Sequence, residues 1–314
     1  MQQSRSHVVG ALMMVLSNSV SVATDAIKSY PVSTPLARVL VEASEPRYVA
    51  PTLRDRIGRI WAPVYLNGKG PFRLVFDTGA NSSAVVHSVV ASLGLPHEER
   101  KVTLHGITGS AIVPVIAVDS IEVGDLSIEG ARMPVVSDVF GGAEGVLGMK
   151  GLGDKRVFID FRNDQIQISR SHGTPVAPGF TRVPVNLSRG QLITLEIRVG
   201  SIRTMAVLDT GAQQTIGNNS LREALMRRPR DEKDTTIVGV TLDVADGTSI
   251  PVPPIALGTI KIRNMRVTFG DMFIFDQWDM EKEPAMLIGM DVIGSLDTLI
   301  IDYKLSELHM RARR

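Results

Sequence analysis

The feature that most constrains this chain is an internal repeat. "VYLNGKGPFRLVFDTGA" (residues 64–80) and "IRVGSIRTMAVLDTGA" (197–212) each give a strand, a glycine turn and a second strand ending in Asp-Thr-Gly-Ala. Gly68 precedes Asp77 by nine residues, and Gly200 precedes Asp209 by the same nine. Two further landmarks follow each motif in the same order: "GVLGMKGLG" is matched by "MLIGMDVIG", then "VFIDF" by "LIIDY". Three landmarks in order, twice, describe two copies of one structural unit in a single polypeptide. From Asp77 to Gly148 is 71 residues and from Asp209 to Gly289 is 80. The second copy therefore carries an insertion, which we expect in the loop-like stretch "MRRPRDEKD".

The unit itself reads as β. Short alternating or all-apolar runs bounded by Gly, Pro, Asn or Asp recur along the chain, among them "FRLVFDTG", "IAVDSIEVGD", "ITLEIRVG" and "IKIRNMRVTF". Helical periodicity is confined to His87–Leu95 and Leu221–Met226. With 314 residues and 44% hydrophobic residues, the chain has the material for two cores. We expect an all-β protein of two pseudo-symmetric barrel lobes with a cleft between them. Lobe one spans residues 60–171 and lobe two 180–308. The Pro/Gly-rich linker is 172–179, and a basic tail occupies 309–314.

The N-terminus has the layout of a signal peptide: Arg5, an apolar run from Val8 to Leu16, then small polar residues with the triplet Ser21, Val22, Ala23. We expect residues 1–23 to be removed and the protein to be exported, periplasmic or extracellular. The apolar run is about half the ~20 residues a helix needs to cross a bilayer, so no membrane span is expected in the mature chain. Residues 24–59, basic and broken by Pro31, Pro35, Pro46 and Pro51, read either as a linker or as a prosegment whose cation reaches the active site. The 34 Lys and Arg residues nearly balance 33 Asp and Glu without forming a stripe, which gives no footprint for nucleic acid.

A lone Asp-Thr-Gly is often only a surface turn. Here each triplet follows directly on an apolar strand end, "LVF" or "AVL", which places Asp77 and Asp209 where burial is expected. A buried lone aspartate costs several kcal/mol unless something pairs with it, and two such loops related by a two-fold axis supply each other. Two carboxyl groups that close share one proton. The ionised member takes a proton from water, the water attacks a peptide carbonyl, and the protonated member donates to the developing oxyanion. Gly79 and Gly211 let the backbone turn and aim N–H groups at the carboxylates, while the Thr78 and Thr210 hydroxyls are placed to bridge the loops. No cofactor and no metal is called for. The six histidines are dispersed with no HExxH pattern, and there is neither a cysteine nor a Gly-x-Ser-x-Gly elbow. Met149 and Met290 read as core packing.

The residues Phe76–Ala80 and Leu208–Ala212, with Val146–Gly148 and Leu287–Gly289, resemble the retropepsin-like aspartic proteases in their bacterial form with two tandem half-domains. The resemblance covers roughly residues 60–306. It implies that Asp77 and Asp209 form the catalytic dyad, supported by Thr78, Gly79, Ala80, Thr210, Gly211 and Ala212. It also implies that the Gly148 and Gly289 segments cross behind the catalytic loops, that a protein or peptide is the substrate, and that a hairpin flap covers the cleft. Flap tips are expected at Gly106, Ile107, Thr108 and Gly109 in the first copy, and at Asp246 and Gly247 in the second. Ala80 and Ala212, where pepsins carry a hydroxyl residue, imply a less acidic optimum than pepsin's. The expected form is a monomer with an intramolecular pseudo-dimer. The rival reading is a non-catalytic peptide-binding or scaffold protein that keeps the fold.

Overall fold

The computed structural model describes residues 59–123, 126–163, 165–173, 178–225 and 231–313, together with three short strands, His7–Val9, Val15–Leu16 and Val39–Glu42. Those strands and Arg59 aside, the expected signal segment 1–23 and the segment 24–59 lie outside the described residues. Among the described residues no helix is long and apolar enough to cross a membrane.

Lobe one is a closed barrel. Its six strands run in the order Ser110–Val123, Trp61–Leu66, Lys69–Phe76, Gly145–Leu147, Ala84–Val86, Leu126–Val136, and the last pairs back with the first. The sequence dictates this arrangement through two-sided burial. In Lys69–Phe76 the exposed start gives way to Leu74, Val75 and Phe76, all at 0% exposure, because the strand dives into the middle of the barrel. Lobe two repeats the order from its other end, with Leu192–Val199, Ile202–Leu208, Ala285–Ile288, Ile216–Gly217, Arg266–Phe269 and Val244–Pro251. Its closing strand is interrupted. Pro251, Pro253 and Pro254 remove ladder donors, so the partner of Leu192–Val199 on that side is a separate strand, Ile255–Leu257.

A third sheet joins the lobes beneath the cleft. Lys155–Asp160 and Gln165–Arg170 come from the first copy, and Leu296–Asp302 and Glu307–Ala312 from the second. The two copies meet antiparallel with Phe158 opposite Ile300. These residues hold the same place in "VFIDF" and "LIIDY", so the pseudo-two-fold axis passes through this pair.

Two expectations need correction. The boundary at Leu308 falls inside a strand: Glu307–Ala312 continues the joining sheet, His309 and Met310 are buried, and Arg311 packs its guanidinium 5.2 Å from the Phe180 ring centre. Residues 309–312 thus continue the second lobe's base, with His309 and Met310 buried on opposite sheet faces and Arg311 and Ala312 exposed at the strand's end. The insertion is also elsewhere. Seven residues link helix to strand in each copy (94–100 and 226–232), whereas eight residues (137–144) in the first copy correspond to fifteen (270–284) in the second. The extra chain carries the helix Phe273–Gln277, too short for its periodicity to be read.

Candidate active site

Each aspartate is delivered by the same device. Leu147 lies beside Phe76 in a parallel pairing, and the Leu147 carbonyl accepts the Asp77 N–H at 3.1 Å. In lobe two Ile288 lies beside Leu208 and accepts the Asp209 N–H at 3.0 Å. The next residues lock behind the loops: Met149 N–H donates to Ala80 O at 2.9 Å and Met290 N–H to Ala212 O at 2.8 Å. Gly148 N–H donates to Ser83 Oγ and Gly289 N–H to Thr215 Oγ1, both at 3.1 Å. This crossing of an apolar-Gly segment behind the loop is the arrangement that the repeated "GVLG" and "MLIG" landmarks imply.

The two loops grip each other across the axis. The Thr78 hydroxyl donates to Leu208 O at 2.8 Å and accepts the Thr210 N–H at 3.0 Å. Reciprocally, the Thr210 hydroxyl donates to Phe76 O at 2.7 Å and accepts the Thr78 N–H at 3.0 Å. All four bonds are buried, so breaking one leaves a group with neither partner nor water.

Above this grip Asp77 and Asp209, both 0% exposed, face each other within hydrogen-bonding reach. Asp77 Oδ1 accepts the Gly79 N–H at 2.7 Å, and Asp209 Oδ1 accepts Gly211 N–H at 2.8 Å and Ala212 N–H at 2.9 Å. The other two oxygens, Asp77 Oδ2 and Asp209 Oδ2, have no donor among the described residues. A proton on one carboxyl is the donor that satisfies both. The glycines are required by proximity: a Cβ on Gly79 would stand 2.6 Å from Asp209 Cγ, and one on Gly211 2.3 Å from Asp77 Cγ.

Burial raises both carboxyls. Burial, then the charge of Asp209 and the hydrogen bond with it, hold Asp77 well above the usual carboxylate range. Burial also pushes Asp209 up, to about 7, against the pull of the Asp77 hydrogen bond, the Ala212 and Gly211 N–H groups and, last, the Arg59 guanidinium. Of the two, Asp209 has the more backbone donors, Gly211 and Ala212 N–H on one oxygen, to hold the negative charge of the pair. Arg59 donates to Phe140 O at 3.2 Å. Sequence reasoning saw Arg59 only as one cation of a basic segment; its place one step beyond Ile60, whose carbonyl accepts Phe76 N–H, brings it to the loop. Tyr303 was likewise missed. It is buried, its hydroxyl meets Met149 Sδ, and burial followed by the charge of Asp77 raises its pKa. The substitution of Tyr303 for its counterpart Phe161 was the available signal.

At the expected first flap tip His105 pairs with Ser110, and Gly106–Gly109 form a hairpin turn. The second is not at Asp246 and Gly247. Those residues lie within the strand Val244–Pro251, opposite Thr236 and Thr235, and the tip is Gly239–Asp243. Gly247 serves close packing, since a Cβ there would meet Thr268 Cγ2 at 2.8 Å. The true turn was hidden because Val240, Thr241 and Leu242 read as strand, yet Leu242 takes φ 66°. Beside the dyad loop lies only a narrow crevice, lined by Thr78, Gly79, Ala80, Asn81, Arg189 and Leu192.

Two barrel lobes that each contribute one aspartate to a single buried pair define the bilobal two-aspartate class of hydrolase folds. The aspartyl protease family model matches residues 62–150 and 194–292, more than half of the chain, and the chain belongs to that family. No curated protein matches it.

Proposed function

We propose that this protein is an aspartic endopeptidase whose dyad, Asp77 and Asp209, shares one proton. The observation that carries the reading is the pair of buried carboxyls facing each other over a reciprocal threonine grip. Asp209, with two backbone donors on one oxygen, is the base that takes a proton from the attacking water. Asp77 holds the shared proton and gives it to the carbonyl oxygen as the tetrahedral intermediate forms. The roles then reverse as the amine leaves. An extended peptide is gripped by backbone hydrogen bonds from the cleft and the two hairpins. Each chain completes its own dyad and works as a monomer, and the signal-like pattern of residues 1–23 supports work outside the cytoplasm.

The test is cleavage of a mixed peptide library from pH 3 to 9 by wild type, Asp77→Ala and Asp209→Ala. Wild-type activity should rise with pH through a limb near 7, as Asp209 ionises, and fall once Asp77 loses its proton. Each variant should lose about a thousandfold or more. A wild type inert at every pH favours the peptide-binding scaffold instead.

A further inference from the structure

Two stretches near the N-terminus lie on the two roof hairpins at equivalent places. The first strand of each hairpin, Lys101–His105 in lobe one and Lys233–Val238 in lobe two, pairs on one side with its own hairpin partner. Its other side is a row of backbone N–H and C=O groups that an extended chain can take. In lobe one that side is taken by Val15 and Leu16, opposite His105 and Leu104. In lobe two it is taken by His7, Val8 and Val9, opposite Thr236, Ile237 and Val238.

The two pairings are related by the pseudo-two-fold axis. Gly106 and Gly239 each begin a hairpin tip, donating N–H to Gly109 O at 2.8 Å and to Asp243 O at 3.2 Å. Counting back from them, His105 answers to Val238 and Leu104 to Ile237, and Leu104 and Ile237 are the buried residues of their strands. Val15 and Val9 therefore hold equivalent places, as do Leu16 and Val8, and both couples are centred on Leu12. Direction agrees. Strands related by a two-fold axis perpendicular to them run opposite ways, so a chain that crosses without reversing is parallel to one and antiparallel to the other. Residues 7–9 run parallel to the lobe-two strand, and residues 15–16 antiparallel to the lobe-one strand. The same axis passes between Asp77 and Asp209, whose carboxyls are wholly covered. We propose that residues 7–16 are a peptide ligand built into the chain, held across the cleft between the two hairpins, and that the peptide bonds of Leu12 are the ones brought to the dyad. The proposal rests on the peptide-binding cleft of the preceding section and names its occupant, an extended apolar segment gripped three and four residues either side of its centre. While residues 1–23 remain, a second peptide competes with the tethered one; once they leave, the cleft is open. Hydrolysis at either bond of Leu12 consumes one water, with OH going to the carbonyl carbon and H to the departing nitrogen.

The experiment uses the full chain as wild type, as Val8→Pro with Val9→Pro, as Val15→Pro with Leu16→Pro, and with all four substitutions, since proline removes ladder donors. Hydrogen exchange is followed in segments 101–105 and 233–238, with Leu296–Asp302 as a folding control that should not change. Exchange should quicken about fivefold or more in 233–238 alone for the first pair, in 101–105 alone for the second, and in both for the fourfold variant. A synthetic peptide of residues 5–18, with both amides of Leu12 reduced to CH2–NH, should bind the fourfold variant about tenfold or more tighter than wild type by calorimetry. Mass spectrometry of the wild-type chain on standing should find its first cut on one side of Leu12. Exchange unaltered by the prolines, equal peptide affinity in the two chains, or a first cut elsewhere would overturn the proposal. Absence of any cut while the exchange and affinity shifts persist instead faults the peptidase reading and leaves the occupancy standing.

Discussion

The floor and the roof of the cleft have diverged to different degrees between the two copies. On the floor nearly every bond has its mate: Thr78 and Thr210 exchange the same pair of hydrogen bonds, and Leu147 and Ile288 support the two aspartates at distances within 0.1 Å of each other. On the roof Ile107 is 0% exposed and Val240, at the same place on the facing tip, is 2% exposed, but Leu242 two residues on stands 53% exposed. The buried pair ties both copies of the floor to one geometry, since each aspartate faces the other while accepting N–H groups from its own loop. The roof is less symmetric: the tips are tied to each other through Thr108, and the insertion in the second copy adds the contacts of Phe273 and Ile274 to the lobe-one tip alone.

The largest effect that tests this contrast is on the floor. Asp209 binds its proton more firmly folded (about 7) than unfolded (about 3.9), so its contribution to stability is full below the unfolded value and lost as pH rises through 7. Thermal melts of Asp209→Asn should therefore show a shallower decline between pH 4 and 7 than wild type; parallel curves would mean that the carboxyl is not held neutral by burial. Next in size, Thr78→Val and Thr210→Val should each orphan two buried groups at roughly 1–3 kcal/mol per group. Their denaturation midpoints should fall by similar amounts, and a large difference between them would break the symmetry of the floor. The smallest effect belongs to the roof: Leu242→Ser should change stability by less than about 0.5 kcal/mol and leave exchange at both tips as in wild type.

The floor was legible in the sequence because its geometry is local and doubled. Asp-Thr-Gly-Ala after an apolar strand places each carboxyl, and the apolar-Gly landmarks announce the segments that cross behind it. The roof was half legible. Gly106 and Gly109 bracket a turn by residue type, but the turn at Gly239–Asp243 is built from Val, Thr and Leu, whose strand preference is overridden by a positive φ at Leu242. That Phe273–Gln277 receives the tip of the other lobe depends on contacts between residues more than 160 positions apart, such as Ile274 N–H to Ile107 O. No window of sequence holds that information. Arg59 and the Tyr303 hydroxyl were hidden for the same reason, because their meaning comes from the loop they approach.

The central claim is that one chain builds one site from both of its copies. Its most direct test is peptide cleavage by Asp77→Ala alone, Asp209→Ala alone, and an equimolar mixture of the two, beside wild type. The account predicts that wild type cleaves while both variants and their mixture stay inert, because neither chain holds a complete pair. Activity in either single variant, or its recovery on mixing, would contradict it.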